Sequence, residues 1–229
     1  MENEVIQEAT YLQFPRDESL QPDARSWEEV LWAVQLLLTN THDRQTLVLD
    51  TINGLERLCF EYICRTQFDG NWGEKGFTAF QRGYDISVPE WERFLELLNR
   101  LRDQGMTVLS LAHQGIMAVP NPAGPEYTCF GPEMHKKTWA VTKGRVDAIL
   151  FGQYNIVTLE NDPKKKTKAK GGRERIIHTT QSASHEAKNR HNLSDIIYVS
   201  NESPAQAWAD LEAAFQGKQN DQDEEQAQP

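Results

Sequence analysis

Only three of the 229 residues are cysteine, Cys59, Cys64 and Cys129. That is too few for a disulfide framework, and four ligands at zinc spacing are missing. No apolar run approaches the roughly 18 residues that a membrane-spanning helix needs. The first residues, Met1-Glu2-Asn3-Glu4, are acidic and do not form the basic and apolar regions of a secretory signal. These absences predict a folded cytoplasmic protein, with no membrane contact and with buried, reduced thiols. The sequence also lacks HExxH, CxxC and a nucleophile elbow, so zinc-protease, thiol-redox and serine-hydrolase readings have no support. Nor does it contain G-x-x-x-x-G-K-[ST], the sequence whose backbone amides and lysine cradle phosphates. Its nearest Gly-rich stretch, Gly70-Asn71-Trp72-Gly73-Glu74-Lys75-Gly76-Phe77, has the wrong ending and follows no predicted strand.

Hydrophobic residues make up 38% of the chain and charged residues 25%, enough for one sizeable core or two small ones. The net charge of −10 is unevenly spread. Between Pro163 and Arg190 nine lysines and arginines face two acids. That local excess on an acidic protein reads either as a phosphate contact or as a solvated lysine-rich loop.

Residues 1–25 carry little pattern and read as an irregular arm, with Tyr11 to Pro15 as one candidate edge strand. Ser26-Trp27-Glu28-Glu29 is a capping box, and Trp27, Val30, Leu31, Val34, Leu37 and Leu38 follow at helical spacing. Thr46 to Asp50 (TLVLD) reads as a short buried strand. Leu55, Leu58, Cys59, Tyr62 and Ile63 then make the stripe of a second helix. Thr66 to Pro89 reads as a long aromatic-rich connection, either a functional loop or an insertion packed on the core. A third helix is predicted to start at Pro89 and to end at Gly105, a residue suited to a left-handed cap. Thr107 to Gln114 (TVLSLAHQ) is predicted as one strand. Strand and helix alternating in this order predict a parallel sheet covered by helices.

Asn121 to Pro132 reads as a Pro/Gly loop, Glu133 to Val141 as helical, and Ala148 to Phe151 as a buried strand. Tyr154 to Leu159 and Arg175 to Thr179 alternate as a hairpin around the lysine-rich loop, and Ile196 to Val199 as a further strand. Ser203-Pro204-Ala205-Gln206 opens a last helix with proline at its first position. Residues 217–229 read as a disordered acidic tail.

An aspartate closing a buried strand stands at the carboxyl edge of a parallel sheet, where ligands bind. There Asp50 could hold a hydrated Mg²⁺ bridging nucleotide phosphates, or could merely cap the next turn. His113 and Gln114 close the neighbouring predicted strand, where such side chains either bond a γ-phosphate or serve the structure. Lys136 and Lys137 read as a phosphate contact or as a charged helix face.

Several blocks, in order, resemble the phage-type RecA-like P-loop ATPases of the AAA/RecA superfamily. They are SWEEV (Ser26 to Val30), TLVLDTINGLE (Thr46 to Glu56), EKGFTAFQRGYDISVPEW (Glu74 to Trp91), LRDQGMTVLSLAHQ (Leu101 to Gln114), HKKTW (His135 to Trp139), DAILFG (Asp147 to Gly152) and HEAKNRHNL (His185 to Leu193). The resemblance implies an α/β fold, a three-layer RecA-like core with a mostly parallel sheet, spanning residues 26–216 and ending in a β-hairpin and helix. It implies ATP and Mg²⁺ as cofactors, and a role in phage or prophage DNA recombination or single-strand annealing. Single-stranded DNA, a homo-oligomer or a recombination protein would then be the partners.

By the same resemblance Asp50 matches the Walker B aspartate, and Gln114 with His113 matches the sensor position. Lys188 and Arg190 match a late basic motif that would reach a neighbour's γ-phosphate, while the alternative for Arg190 is a tie between the C-terminal segment and the core. Family members carry a strand, a Walker A loop and its helix ahead of the matched region. The expectation is therefore an N-terminally incomplete core, a truncated or a divergent protein, deficient in hydrolysis. The rival reading is a non-catalytic nucleic-acid-binding or interaction protein that uses Lys164, Lys165, Lys166, Lys168, Lys170 and Arg173. An inert remnant is the third.

Overall fold

The computed structural model describes residues 24–159 and 168–217. Tyr11 to Pro15, most of the predicted arm, Lys164, Lys165, Lys166 and nearly all of the predicted acidic tail lie outside the described residues.

The elements in chain order are α1 (Trp27–Thr39), β1 (Thr46–Asp50), α2 (Ile52–Gln67), a single 3-10 turn (Ala79–Gln81), α3 (Arg82–Asp103), β2 (Thr107–Leu111), β3 (Gln114–Val119), β4 (Tyr127–Pro132), α4 (Lys136–Arg145), β5 (Ala148–Ile149), β6 (Phe151–Leu159), β7 (Lys168–His178), β8 (Lys188–Asn189), β9 (Ile196–Val199) and α5 (Pro204–Phe215). Helices and strands mix along the whole chain, giving an α/β protein. The chain divides into two compact units, one running to Ile116 and resuming over Pro132–Arg145, the other formed by Met117–Gly131 and the residues from Val146 onward.

In the first unit, β1 and β2 pair in parallel from Thr46↔Thr107 to Asp50↔Leu111. In place of the expected mostly parallel sheet, the parallel sheet holds these two strands, and the largest sheet among the described residues, β6-β7-β9, is antiparallel. Their core is built from the periodic apolar positions: Trp27, Val30 and Val34 of α1, Leu47 and Leu49 of β1, Leu58 and Cys59 of α2, and Trp91, Phe94, Leu98 and Leu101 of α3. Trp27 stacks on Trp91 at 5.8 Å and meets the edge of Phe94, contacts that add directional preference to the burial of large rings. Ser26 caps α1 by accepting the Glu29 N–H. The reciprocal half of the expected box is displaced by one residue, because the Glu29 carboxylate takes the N–H of Arg25. Burial pushes the Cys59 thiol well above its ordinary range, with Glu90 and Glu56 adding to the effect, so it is an inert core group.

The third helix begins seven residues before its predicted start. Pro89 lies inside α3, where it removes one backbone bond. Aromatic packing holds the turns ahead of it. Phe77 is fully buried and meets Phe60, Phe68, Trp72 and Tyr84, while Ser87 donates its hydroxyl to the Gly83 carbonyl at 2.8 Å. Phe68, Phe77 and Tyr84 of the 66–89 segment thus pack, whereas Trp72 touches Phe77 but stays exposed and Phe80 is fully exposed. At the other end Gly105 has φ +94°. Its N–H reaches the Arg102 carbonyl at 2.8 Å and the Met106 N–H reaches that of Leu101 at 3.1 Å, the paired bonds of a Schellman ending.

The strand predicted over Thr107 to Gln114 breaks in two. β1 ends at Asp50, so the ladder partner runs out at Leu111, and Gln114 instead begins β3. The Pro/Gly segment 121–132 holds a strand, β4, in its second half, paired with β3. α4 begins at Lys136 and not at Glu133.

In the second unit β6, β7 and β9 form one antiparallel sheet, which contains the Ile196–Val199 strand. Its β6–β7 hairpin is tighter than predicted: Ile156 to Leu159 pair with Gly171 to Lys168 of the expected loop, and Arg175 to His178 pair with Tyr154 to Phe151. The predicted Ala148–Phe151 strand is split: Ala148 and Ile149 pair with β8, and Phe151 starts β6. Ser203 caps α5 through the Gln206 N–H at 3.1 Å, with Pro204 in the first turn. Among the described residues no helix is long and apolar enough to cross a membrane.

Candidate functional site

The parallel register sets Asp50 beside Leu111 at the carboxyl ends of β1 and β2. His113 and Gln114 follow Leu111 by two and three residues; both are exposed, and Gln114 opens β3. The turn after Asp50 is capped by Thr51, whose hydroxyl accepts the Gly54 N–H at 3.3 Å. Asp50 is therefore not the cap. It is exposed, and its carboxylate makes no hydrogen bond or ion pair among the described residues. The peptide bond between Asp50 and Thr51 is cis.

Two residues that the sequence reading passed over organise this rim. Asn53, in the first turn of α2, accepts the His113 N–H on its Oδ1 at 2.9 Å and donates Nδ2 to the Glu133 carbonyl. One turn on, the Glu56 carboxylate accepts the His135 N–H at 3.0 and 3.2 Å and the Thr138 hydroxyl. Glu56 is 6% exposed. Burial raises its carboxyl above the usual range, and the bonds from Thr138 and the His135 amide pull the other way. A polar pair at i, i+3 on an otherwise apolar helix stripe was the available signal. Its partners lie 60 and about 80 residues away, beyond any local pattern.

The lysines of HKKTW have local duties. Lys137 pairs with Asp85, and Lys136 is exposed at the start of α4. His135 stacks on Tyr84, centroids 4.1 Å apart and planes within 6°. Its imidazole is held below its ordinary value, first by burial, then by Lys137 and Lys136, with Asp85 opposing.

Lys188 and Arg190 lie in the second unit. Lys188 is half-buried and donates its Nζ to the Val146 carbonyl at 2.6 Å. Arg190 pairs with Asp147 at 3.3 Å, and its backbone N–H bonds the Asp147 carbonyl. Both partners of this pair belong to the second unit. Lys168, Lys170 and Arg173 fall on β7, with Lys168 opposite Leu159 and Lys170 opposite Val157. Further along the hairpin Tyr154 faces Arg175, both exposed.

The rim suits a small hard cation with anionic oxygen ligands. A single exposed carboxylate, with substrate phosphates and water supplying the rest, is how Mg²⁺ is commonly held. The exposed Asp50 carboxylate is of the chemistry that such a cation takes. Among the described residues no cluster of three or more His, Cys, Asp or Glu forms a closed metal cage.

A family model described as an AAA domain matches residues 12–191. That span includes Asp50, His113, Gln114, the basic hairpin, Lys188 and Arg190. No curated protein and no solved structure matches the chain.

Proposed function

We propose that this chain, which belongs to the AAA domain family, binds ATP with Mg²⁺ at the exposed rim of β1 and β2. The observation that supports this reading is the parallel pairing that sets Asp50 beside Leu111, two residues before His113, with Asp50 relieved of capping by Thr51. Asp50 would hold the hydrated Mg²⁺, which neutralises phosphate charge when bound. Gln114 would donate its amide to the terminal phosphate or orient water, and His113 would border the same oxygen atoms. On this reading β1 and β2 are two strands of a RecA-like core, and the protein serves phage-type DNA recombination or strand annealing.

These 229 residues include no Gly-Lys-Ser/Thr phosphate loop. A polypeptide of this sequence by itself therefore lacks the lysine and amide cradle that lowers the barrier to phosphoryl transfer. Weak, Mg²⁺-dependent nucleotide binding with slow turnover is expected. Titration with a fluorescent ATP analogue tests this. Asp50→Asn should weaken Mg-nucleotide binding about tenfold or more, about 1.4 kcal/mol, and leave any Mg²⁺-free binding unchanged. Equal affinities for the two proteins, or ordinary ATPase turnover that survives Asp50→Asn, would overturn the assignment.

A second reading has its own support. The β6–β7 hairpin sets Tyr154 opposite Arg175 on a strand that also carries Lys168, Lys170 and Arg173, a combination that suits base stacking and phosphate contact on single-stranded nucleic acid. Salt-sensitive binding of an oligonucleotide, indifferent to ATP and lost on neutralising Lys164, Lys165, Lys166, Lys168, Lys170 and Arg173, would favour it.

A further inference from the structure

The chain leaves the first unit after Ile116 and re-enters it at Pro132. One side chain holds both crossings. Just before the exit, Asn53 Oδ1 accepts the His113 N–H at 2.9 Å. Just after the return, Asn53 Nδ2 donates to the Glu133 carbonyl. The two gripped residues also bond each other, the Glu133 N–H donating to the His113 carbonyl at 2.8 Å. A primary amide carries an acceptor and a donor on one carbon, so it can take an N–H and a carbonyl at once. β2 has no ladder partner beyond Leu111, so the His113 N–H needs this acceptor. The exit and return segments run close together here: a Cβ added at Gly115 would stand 3.3 Å from Glu133 Cα. Glu56, one turn further along α2, then fixes the re-entering chain at His135 and Thr138.

We propose that Asn53 is the positioning residue that couples the Asp50 rim to strands β3 and β4, by holding the exit and the return of that excursion on the helix that follows Asp50. That the rim's ligand is Mg-ATP rests on the function proposed above, while the grip itself does not. Through Asn53, a ligand that draws Gln114 toward the rim moves the start of β3, and the same amide carries the movement to Glu133 at the end of β4.

Hydrogen–deuterium exchange on the full chain, read by mass spectrometry with and without Mg-ATP, tests the coupling. In Asn53→Ala the peptides covering 113–119 and 132–138 should exchange about tenfold faster without nucleotide, while β1 stays within about twofold of wild type. Asn53→Asp separates the two arms. It keeps the acceptor for His113 and sets a carboxylate against the Glu133 carbonyl, so 132–138 should accelerate and 113–119 should not. A general loss of stability would accelerate both segments in both variants, β1 included. In wild type, Mg-ATP should slow exchange in both segments, and in Asn53→Ala the slowing at 132–138 should vanish. The proposal is overturned if Asn53→Ala leaves both segments as protected as wild type, if β1 accelerates equally, or if nucleotide protection of 132–138 survives the substitution. A wild type that takes up no Mg-ATP refutes the nucleotide reading; the nucleotide-free comparison then decides the grip by itself.

Discussion

Thr138 offers a direct test of the buried network that anchors α4. It is wholly buried, and its single hydroxyl proton has two acceptors in reach, Glu56 Oε1 and the His135 carbonyl, the latter at 2.8 Å. The carboxylate is the stronger acceptor. Thr138→Val keeps the shape and deletes the hydroxyl, leaving Glu56 with the His135 amide alone. A hydrogen bond to a charged group contributes about 1.5–3 kcal/mol, so unit unfolding should become easier by about 2 kcal/mol near pH 7. The loss should shrink on acidification. Burial holds the Glu56 carboxyl above the usual carboxylate range in the folded protein, so the folded state takes up a proton first. Stability from that protonation appears as pH falls through the folded value and is complete below the unfolded one. A protonated Glu56 no longer depends on the lost donor.

Urea unfolding at about pH 7.5 and about pH 5, followed by fluorescence of the buried Trp27 and Trp91, measures this pH dependence directly. Thr142→Val is the control: its hydroxyl accepts the Trp91 Nε1–H at 2.8 Å and donates to the Thr138 carbonyl at 2.7 Å, neutral bonds whose loss is expected to cost about 1–3 kcal/mol, the same at both pH values. A Thr138→Val cost below about 0.5 kcal/mol, or one as large in acid as at neutrality, would refute this account of Glu56.

Two further outcomes are expected. The His135 imidazole is held below 6.5 in the folded state, so its stabilising contribution is complete above that value and is lost as pH falls through the folded value. His135→Phe, which keeps a ring against Tyr84, should flatten the decline in urea midpoint between about pH 7.5 and pH 5.5; identical slopes for the two proteins would contradict it. Gly105→Ala forces a side chain onto φ +94° with open space around it. It should cost about 1 kcal/mol, or about 2–4 °C in melting temperature, with Gly105→Asn costing less; an unchanged melt would show that the Schellman ending is not strained by a Cβ.

The sequence by itself determined the local decisions. Apolar spacing set α1, α2 and most of α3, serines fixed the starts of α1 and α5, Gly105 fixed the end of α3, and the alternation at Tyr154 to Leu159 and Arg175 to Thr179 marked two strands but not their register, which draws Lys168 to Gly171 of the expected loop into the ladder. It also marked Asp50 as the last residue of β1, whereas the strand end expected at Gln114 is the first residue of β3. Tertiary structure decided what distant residues supply. Aromatic packing on Phe77 carried α3 back past Pro89, and the end of β1 cut β2 at Leu111. It also decided which polar groups are free and which are spent. Thr51 released Asp50, whereas Asp147 and the Val146 carbonyl engaged Arg190 and Lys188. Asn53 and Glu56 gained their roles from partners 60 to 82 residues away. The physical reason is that a side-chain amide or carboxylate has the same local appearance whether solvent or a remote backbone satisfies it, and only the folded chain determines which.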